Sequence, residues 1–244
     1  MKYTEIIFVI DASGSMAHLT GDTIGGFNGF IESQRALDGK ATLTTVLFDS
    51  NWKILHDGID IKEVKPLTKT DYVAGGMTAM LDAIGEVINK VQDRHDDLGA
   101  EKPEEVLFVI TTDGEENSSQ KFKKSQIEKM IKHQTNGHGW KFMFLGANMD
   151  AVKEAEDIGI NSNYATNYTY TAQGTSGVYA TMDCVAKSMR GCADSFFGEI
   201  DDEFVLSTAY STCSGDIDGI KASVDTINDI NDINDINDKL KTLN

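Results

Sequence analysis

The run Ile6-Ile7-Phe8-Val9-Ile10, passing straight into Asp11-Ala12-Ser13-Gly14-Ser15-Met16, is the stretch on which the fold turns. Five consecutive apolar residues, four of them β-branched, read as a short strand buried on both faces. A carboxylate and two hydroxyls at alternate positions follow directly on its end. They are hard oxygen donors, which suit Mg²⁺, Mn²⁺ or Ca²⁺ better than a soft metal. Three side chains do not complete an octahedron, so the other oxygens must come from elsewhere in the chain or from outside it.

Moving outward, Val106-Leu107-Phe108-Val109-Ile110 repeats the first strand's character and ends in Thr111-Thr112-Asp113-Gly114. Trp140 to Leu145 is a third buried strand. Ala41 to Phe48 and Trp52 to Ile61, joined by Asp49-Ser50-Asn51, read as a hairpin that puts one antiparallel strand at a sheet edge. Tyr164 to Tyr170 alternates weakly, as a last edge strand would. Helical spacing fills the gaps. Ile24, Phe27, Phe30, Ile31 and Leu37 mark a helix capped by Asp22 or Thr23 and closed by Asp38-Gly39. Leu81, Ile84, Val87, Ile88 and Val91 mark another from about Thr78, fading into the charged stretch Gln92 to Lys102. Ser125-Gln126-Ile127-Glu128 has capping-box spacing and opens a helix expected to close at Asn136-Gly137. Asp150 should cap a short helix, and Ser176 to Ala193 should form the last one.

Strands alternating with helices imply an α/β fold. It is a doubly wound, Rossmann-like, mostly parallel six-stranded sheet with one antiparallel edge strand and helices on both faces. In such sheets ligands bind beyond the carboxyl ends of strands, where the strand order reverses. Asp11 and Asp113 each follow a central-looking strand, so their loops should converge there. Residues 1–195 would form this domain. Residues 196–244 would be a C-terminal extension, helical or flexible, carrying Ile-Asn-Asp four times over 227–238. Isoleucine at every third residue fits neither the 3.5 nor the 3.6 period, although Ile217, Ile220, Val224 and Ile227, then Leu240 and Leu243, follow helical spacing. The extension is therefore read either as a self-associating helix that makes a homo-oligomer or as a low-complexity tail.

With 39 acidic against 22 basic residues the formal net charge is −17. Nucleic acid and anionic membrane surfaces would repel such a chain, so neither is expected as a partner. The three cysteines, Cys184, Cys192 and Cys213, lack C-x-x-C spacing and suggest neither a disulfide framework nor a zinc site. Cys184 and Cys192 are read as packed small apolar side chains. No secretory signal or membrane span is legible, and a reducing, cytoplasmic setting is expected.

Asp11, Ser13, Ser15, Thr78 and Asp113 together offer two carboxylates and three hydroxyls, a good octahedral oxygen set with room for an external ligand. These residues resemble the von Willebrand factor type A domain with its metal-ion-dependent adhesion site. The D-x-S-x-S motif is matched by Asp11-Ala12-Ser13-Gly14-Ser15. The threonine in a glycine-containing loop is matched by Gly75-Gly76-Met77-Thr78, and the later aspartate by Asp113-Gly114. The motifs appear in the family's order, and the likeness covers roughly residues 3–195. It implies that Ser13 and Ser15 bind the metal directly, Thr78 directly or through water, and Asp11 and Asp113 partly through bridging waters. It further implies a Mg²⁺-dependent protein-interaction module, of a short bacterial or phage cytoplasmic type, whose partner presents Asp or Glu to the metal. An ATPase or a stress-system component is one kind of partner found with such domains.

Catalysis is not expected. A phosphoryl-transfer aspartate here would need a second aspartate where Ser13 stands, and no histidine is spaced as a base for a nucleophilic serine. Gly174-Thr175-Ser176-Gly177 lacks the Lys of a P-loop. Met16 stands where a calcium EF-hand loop needs glycine. Glu115 and Glu116 either tune the site or are a solvated loop, and Asp49 and Asp71 are left open. An assembly subunit with a secondary metal site is the alternative reading.

Overall fold

A computed structural model describes residues 1–193, 195, 197, 200, 201 and 204–214. The segment 216–243, including the Ile-Asn-Asp repeat, lies outside the described residues. Strand β1 (Thr4–Asp11) is buried along its whole length because it lies between two parallel neighbours, β2 (Ala41–Phe48) and β4 (Glu105–Thr112). Strands β3 (Trp52–Asp60), β5 (Lys141–Gly146) and β6 (Ala165–Asn167) complete a six-stranded sheet of order β3-β2-β1-β4-β5-β6. Only β3 is antiparallel to its neighbour. This is the doubly wound, mostly parallel sheet with an antiparallel edge that the sequence implies.

Period-two alternation sorts the core into two layers. Ile6, Phe8 and Ile10 of β1 face α1 (Thr20–Arg35), α5 (Ala172–Met189) and α6 (Leu206–Ser214). Ile7 and Val9 face α2 (Met80–Leu98), α3 (Lys124–His138) and α4 (Ala151–Asp157). In the first layer Phe8 meets Phe30 edge-on with centroids 5.0 Å apart. Helices α1 and α5 approach closely at Gly26, where a Cβ would fall 2.3 Å from the Tyr179 ring. Of the segment after residue 195, Ile200, Phe204, Leu206, Ala209 and Tyr210 are buried in that same layer.

Several element ends differ from the sequence reading. Helix α1 starts at Thr20, because a 3-10 helix over Gly14–Leu19 leads directly into it without a side-chain cap. Helix α2 starts at Met80 and continues through the charged stretch to Leu98, since Val91 and His95 still face the core. Helix α3 passes Asn136-Gly137 and stops at Gly139, which takes the left-handed conformation at φ +69°. It also begins one frame earlier than the Ser125 box: Gln126 Oε1 accepts the Lys123 N–H at 3.0 Å. Helix α5 begins at Ala172, capped by the Thr171 hydroxyl. Asp150 does cap α4, accepting the Lys153 N–H at 3.1 Å.

At the amino end of β1, away from Asp11, the buried Glu5 carboxylate is held by a polar cluster. It accepts from the Thr44 hydroxyl at 2.9 Å, lies 2.7 Å from His95 Nε2, and is contacted by the Arg94 guanidinium. Arg94 also bridges to Asp57 on β3. The cluster ties α2 to three strands, with its charge paired rather than exposed.

Candidate metal centre

Strand order reverses between β1 and β4, so the crevice outside their carboxyl ends is where loops from both halves of the sheet meet. The loop after β1 fills it. Asp11 is fully buried. Its Oδ1 accepts the Ser13 N–H at 2.7 Å and its Oδ2 accepts the Thr112 hydroxyl at 2.6 Å. The first bond curls the chain back on itself, and the second ties the curl to the end of β4. Two phenols fix the loop's carbonyls: Tyr72 donates to the Asp11 carbonyl at 2.6 Å, and Tyr170 donates to that of Ser15 at 2.5 Å.

So held, the loop presents its hydroxyls in a row. Ser13 Oγ and Ser15 Oγ are 3.0 Å apart, and Ser15 Oγ donates to Asp113 Oδ1 at 2.8 Å. Three of the four other candidate residues thus connect to the Asp11 loop: Ser13 and Ser15 belong to it, and Asp113 is bonded to Ser15. Thr78 arrives on a separate loop that is laced to the first by main-chain bonds. Gly75 N–H donates to the Ala12 carbonyl at 2.8 Å and Gly14 N–H to that of Gly76 at 3.2 Å. The hairpin turn supports the loop from behind, the Ser50 hydroxyl accepting Met77 N–H at 2.8 Å and the Asp49 carbonyl accepting Ala79 N–H at 2.7 Å. Asn117 closes it from the β4 side, its Oδ1 accepting the Thr78 N–H at 2.9 Å. Thr78 is buried and does not cap α2, whose N-cap is Ala79.

The electrostatics of the crevice are one-sided. Burial, opposed by the hydrogen bonds from Thr112 and Ser13, holds the Asp11 carboxyl above the usual carboxylate range, and the Asp113 charge adds to the rise. Tyr170 is likewise held above its ordinary value, by burial first and then by Asp113. Asp113 Oδ2 is buried with no hydrogen-bond partner among the described residues. Neither aspartate is in an ion pair with a described residue. Buried carboxylates are ordinarily paired or bound to a cation, so the donor set fits a divalent metal. Spacing fits as well. Adjacent vertices of an octahedral oxygen shell lie about 2.9–3.4 Å apart for bonds of magnesium to calcium length. The 3.0 and 2.8 Å separations are hydrogen-bond distances that keep the three groups close enough to share one cation. Among the described residues no three His, Cys, Asp or Glu side chains cluster as ligands, so hydroxyls must supply part of any such shell.

Sequence reasoning missed Thr112, Tyr72, Tyr170 and Asn117. Thr112 adjoins Asp113 and was findable; the others come close only through the fold. Glu116 turns out to be structural: its carboxylate accepts the N–H groups of Leu81, Ser118 and Ser119 at 2.7–2.9 Å, closing the amino end of α2. Asp49 and Asp71 accept from their own turns, at Asn51 N–H and Thr68 N–H, and do not join the cluster. His18 meets Tyr170 edge-on with centroids 4.5 Å apart and turns Nδ1 to the Ser15 carbonyl, 3.1 Å away.

No family model matches the sequence, and no curated protein matches it. Solved structures do. A von Willebrand factor type A protein from Catenulispora acidiphila superposes with a TM-score of 0.51 at 13% identity, over 77% of this chain and 43% of that one. The fold is that of a von Willebrand factor type A domain. Proximal thread matrix protein 1 from the mussel byssus, in a structure with a zinc-occupied MIDAS motif, gives a TM-score of 0.52 at 17% identity over 76% of this chain and 46% of that one. The PilB minor pilin of Streptococcus sanguinis gives 0.55 at 11% identity over 78% and 62%. The chain spans less than half the length of the first two structures, so it matches their type A fold and not those proteins whole. Among its described residues no helix is long and apolar enough to cross a membrane.

Proposed function

We propose that Asp11, Ser13, Ser15, Thr78 and Asp113 hold a divalent cation, Mg²⁺ foremost, and that the cation binds an acidic side chain of a protein partner. The observation that carries the reading is the row of oxygens from Ser13 through Ser15 to Asp113, ending in the unpartnered Asp113 Oδ2. Those oxygens stand within ligand–ligand distance of one another, so a cation can be bound with the serines still as neutral hydroxyls and with little movement of the oxygens. Hydroxyl ligands leave such an ion under-neutralised, and an incoming carboxylate then makes a strong, partly desolvated bond to it. This is how a chain of net charge −17 recruits an acidic group. The zinc-occupied motif in the mussel protein of the same fold supports the assignment.

The reading includes no turnover. In its favour, the one imidazole bonded to the loop, His18, faces a carbonyl and not the serine hydroxyls. A reducing, cytoplasmic setting agrees with Cys184 and Cys213 not being joined in a disulfide. Calorimetric titration with Mg²⁺ and Mn²⁺ tests the site: wild type should give heat of binding, and Asp11→Ala and Ser13→Ala should lose it. A wild type that takes up no metal at millimolar concentration would overturn the assignment. Partner capture should then vanish in chelator.

A further inference from the structure

The surface around the crevice is not uniform, and its asymmetry describes the partner. Among the described residues the large hydrophobic side chains left exposed are Met1, Trp52, Ile59, Val73, Met77 and Leu98. Three of these six border the crevice on one side. Val73, 66% exposed, follows Tyr72, whose hydroxyl is bonded to the Asp11 carbonyl. Met77, 52% exposed, precedes Thr78, and its N–H is bonded to Ser50. Trp52, 38% exposed, opens β3 two residues beyond Ser50 and pairs with Phe48 at the end of β2. Residues 72–81 between them carry no charged side chain, in a chain that is 25% charged.

The opposite side is acidic. There the loop after β4 brings the exposed Glu115, while the Glu116 carboxylate is taken up by the amides of Leu81, Ser118 and Ser119. Asp49, beneath the apolar side, turns its carboxylate into its own turn toward Asn51 N–H at 2.8 Å. A carboxylate-bearing segment that reached the crevice from the Glu115 side would meet like charge. From the 72–77 side it meets apolar surface, the carboxylate of neighbouring Asp71 being turned into its own turn, where it accepts from Thr68.

We infer that the Val73–Met77 loop and Trp52 form an apolar docking rim for a partner segment in which a large aliphatic or aromatic residue stands next to the acidic residue bound at the metal. The inference rests on the metal reading above and adds to it a direction of approach and a second anchor. Charge complementarity selects this occupant: the acidic residue needs the cation, and the segment flanking it meets the exposed, uncharged side chains of Val73 and Met77 beside the site. Burying Val73 and Met77 against an apolar neighbour also supplies affinity that one metal–carboxylate bond in water does not.

The test is selection of displayed peptides randomised around a fixed central Glu, with the full chain as bait, in Mg²⁺ and in chelator. A matching library with central Gln runs in parallel. Selected Glu peptides should be enriched in Leu, Ile, Phe or Met beside the Glu, only in Mg²⁺. The double variant Val73→Ser, Met77→Ser should bind them about tenfold more weakly, with unchanged magnesium titration and unchanged melting temperature. Magnesium-dependent enrichment of Glu with no preference for an apolar neighbour overturns the rim while leaving the metal reading standing. So does undiminished binding by the double variant. Equal enrichment from the Gln library, or enrichment indifferent to chelator, overturns the metal reading and the rim with it.

Discussion

Gly75 and Gly76 offer a sharp contrast, because only the second is conformationally committed. Gly76 sits at φ +72°, where a Cβ would fall 2.7 Å from Ser50 Oγ and 3.3 Å from Ser50 N, while Gly75 has nothing within 4 Å and no positive φ. For Gly76→Ala the left-handed backbone costs about 1–2 kcal/mol. The Ser50 hydroxyl can rotate away, but it then abandons Met77 N–H, adding about 1 kcal/mol. The sum, about 2–3 kcal/mol, should lower Tm by roughly 4–12 °C in a domain of this size. The same displacement pulls the Gly76 carbonyl from Gly14 N–H and moves Thr78 away from the serines, without altering any ligand. Metal affinity should fall about 10- to 100-fold, as for other disturbances just outside a coordination shell. Gly75→Ala should stabilise by about 0.4–1 kcal/mol, reducing the unfolded chain's freedom at no native cost. Thermal melts and Mn²⁺ calorimetry on both variants check this. If both melt alike, the backbone argument fails; if Gly76→Ala melts early yet binds Mn²⁺ like wild type, Thr78 is not part of the site.

Other outcomes follow from the buried charges and thiols. Because burial raises the Asp11 pKa in the folded state, ionising it opposes folding. That penalty is absent below the ordinary carboxylate pKa and grows as pH rises through the folded value. In chelator, Asp11→Asn should therefore be at least as stable as wild type at pH 7, with the difference closing near pH 3.5; urea melts at both pH values decide, and a variant clearly less stable at pH 7 refutes the sign. Arg94→Met removes the guanidinium from the buried Glu5 and should cost about 3 kcal/mol in urea melts. It should leave metal titration intact, since Glu5 and Asp11 lie at opposite ends of β1. Cys184 and Cys213 share a hydrogen bond that holds the Cys184 thiol down at about 7 and pushes Cys213 up. Read as a pair, they lose the first proton early. Alkylation at pH 7 followed by mass spectrometry should show this reactivity reduced by Cys213→Ala; an unchanged rate refutes the pairing.

Much of the fold was legible because β1, β4 and β5 are short, continuous apolar runs, which two-sided burial requires and little else produces. Helix ends were less legible. The charged tract after Val91 looks like a loop by composition, yet His95 turns inward onto Glu5 and keeps the helix going. At Asn136-Gly137 the turn dipeptide misleads because a better-placed glycine follows at 139. In the site, Asp11, Ser13 and Ser15 announce themselves by spacing, whereas Tyr72 and Tyr170 act from 61 and 155 residues away and leave no local signature. Glu116 shows the converse: beside Asp113 it resembles a ligand, but the amides of α2 and of its own loop take its oxygens first.

The place of β1 in the sheet also bears on mechanics. A tug on the Asp11 loop that runs along the axis of β1 pulls on a strand laddered on both sides, to β2 and to β4, over nearly its entire length. Force in that direction loads the two rows of hydrogen bonds in shear, all together, instead of opening them one after another as peeling would. An edge strand such as β3, paired to β2 alone, would share the same load over one row. The anchor point therefore stands on the member of the sheet best able to carry tension, whatever is hung from it.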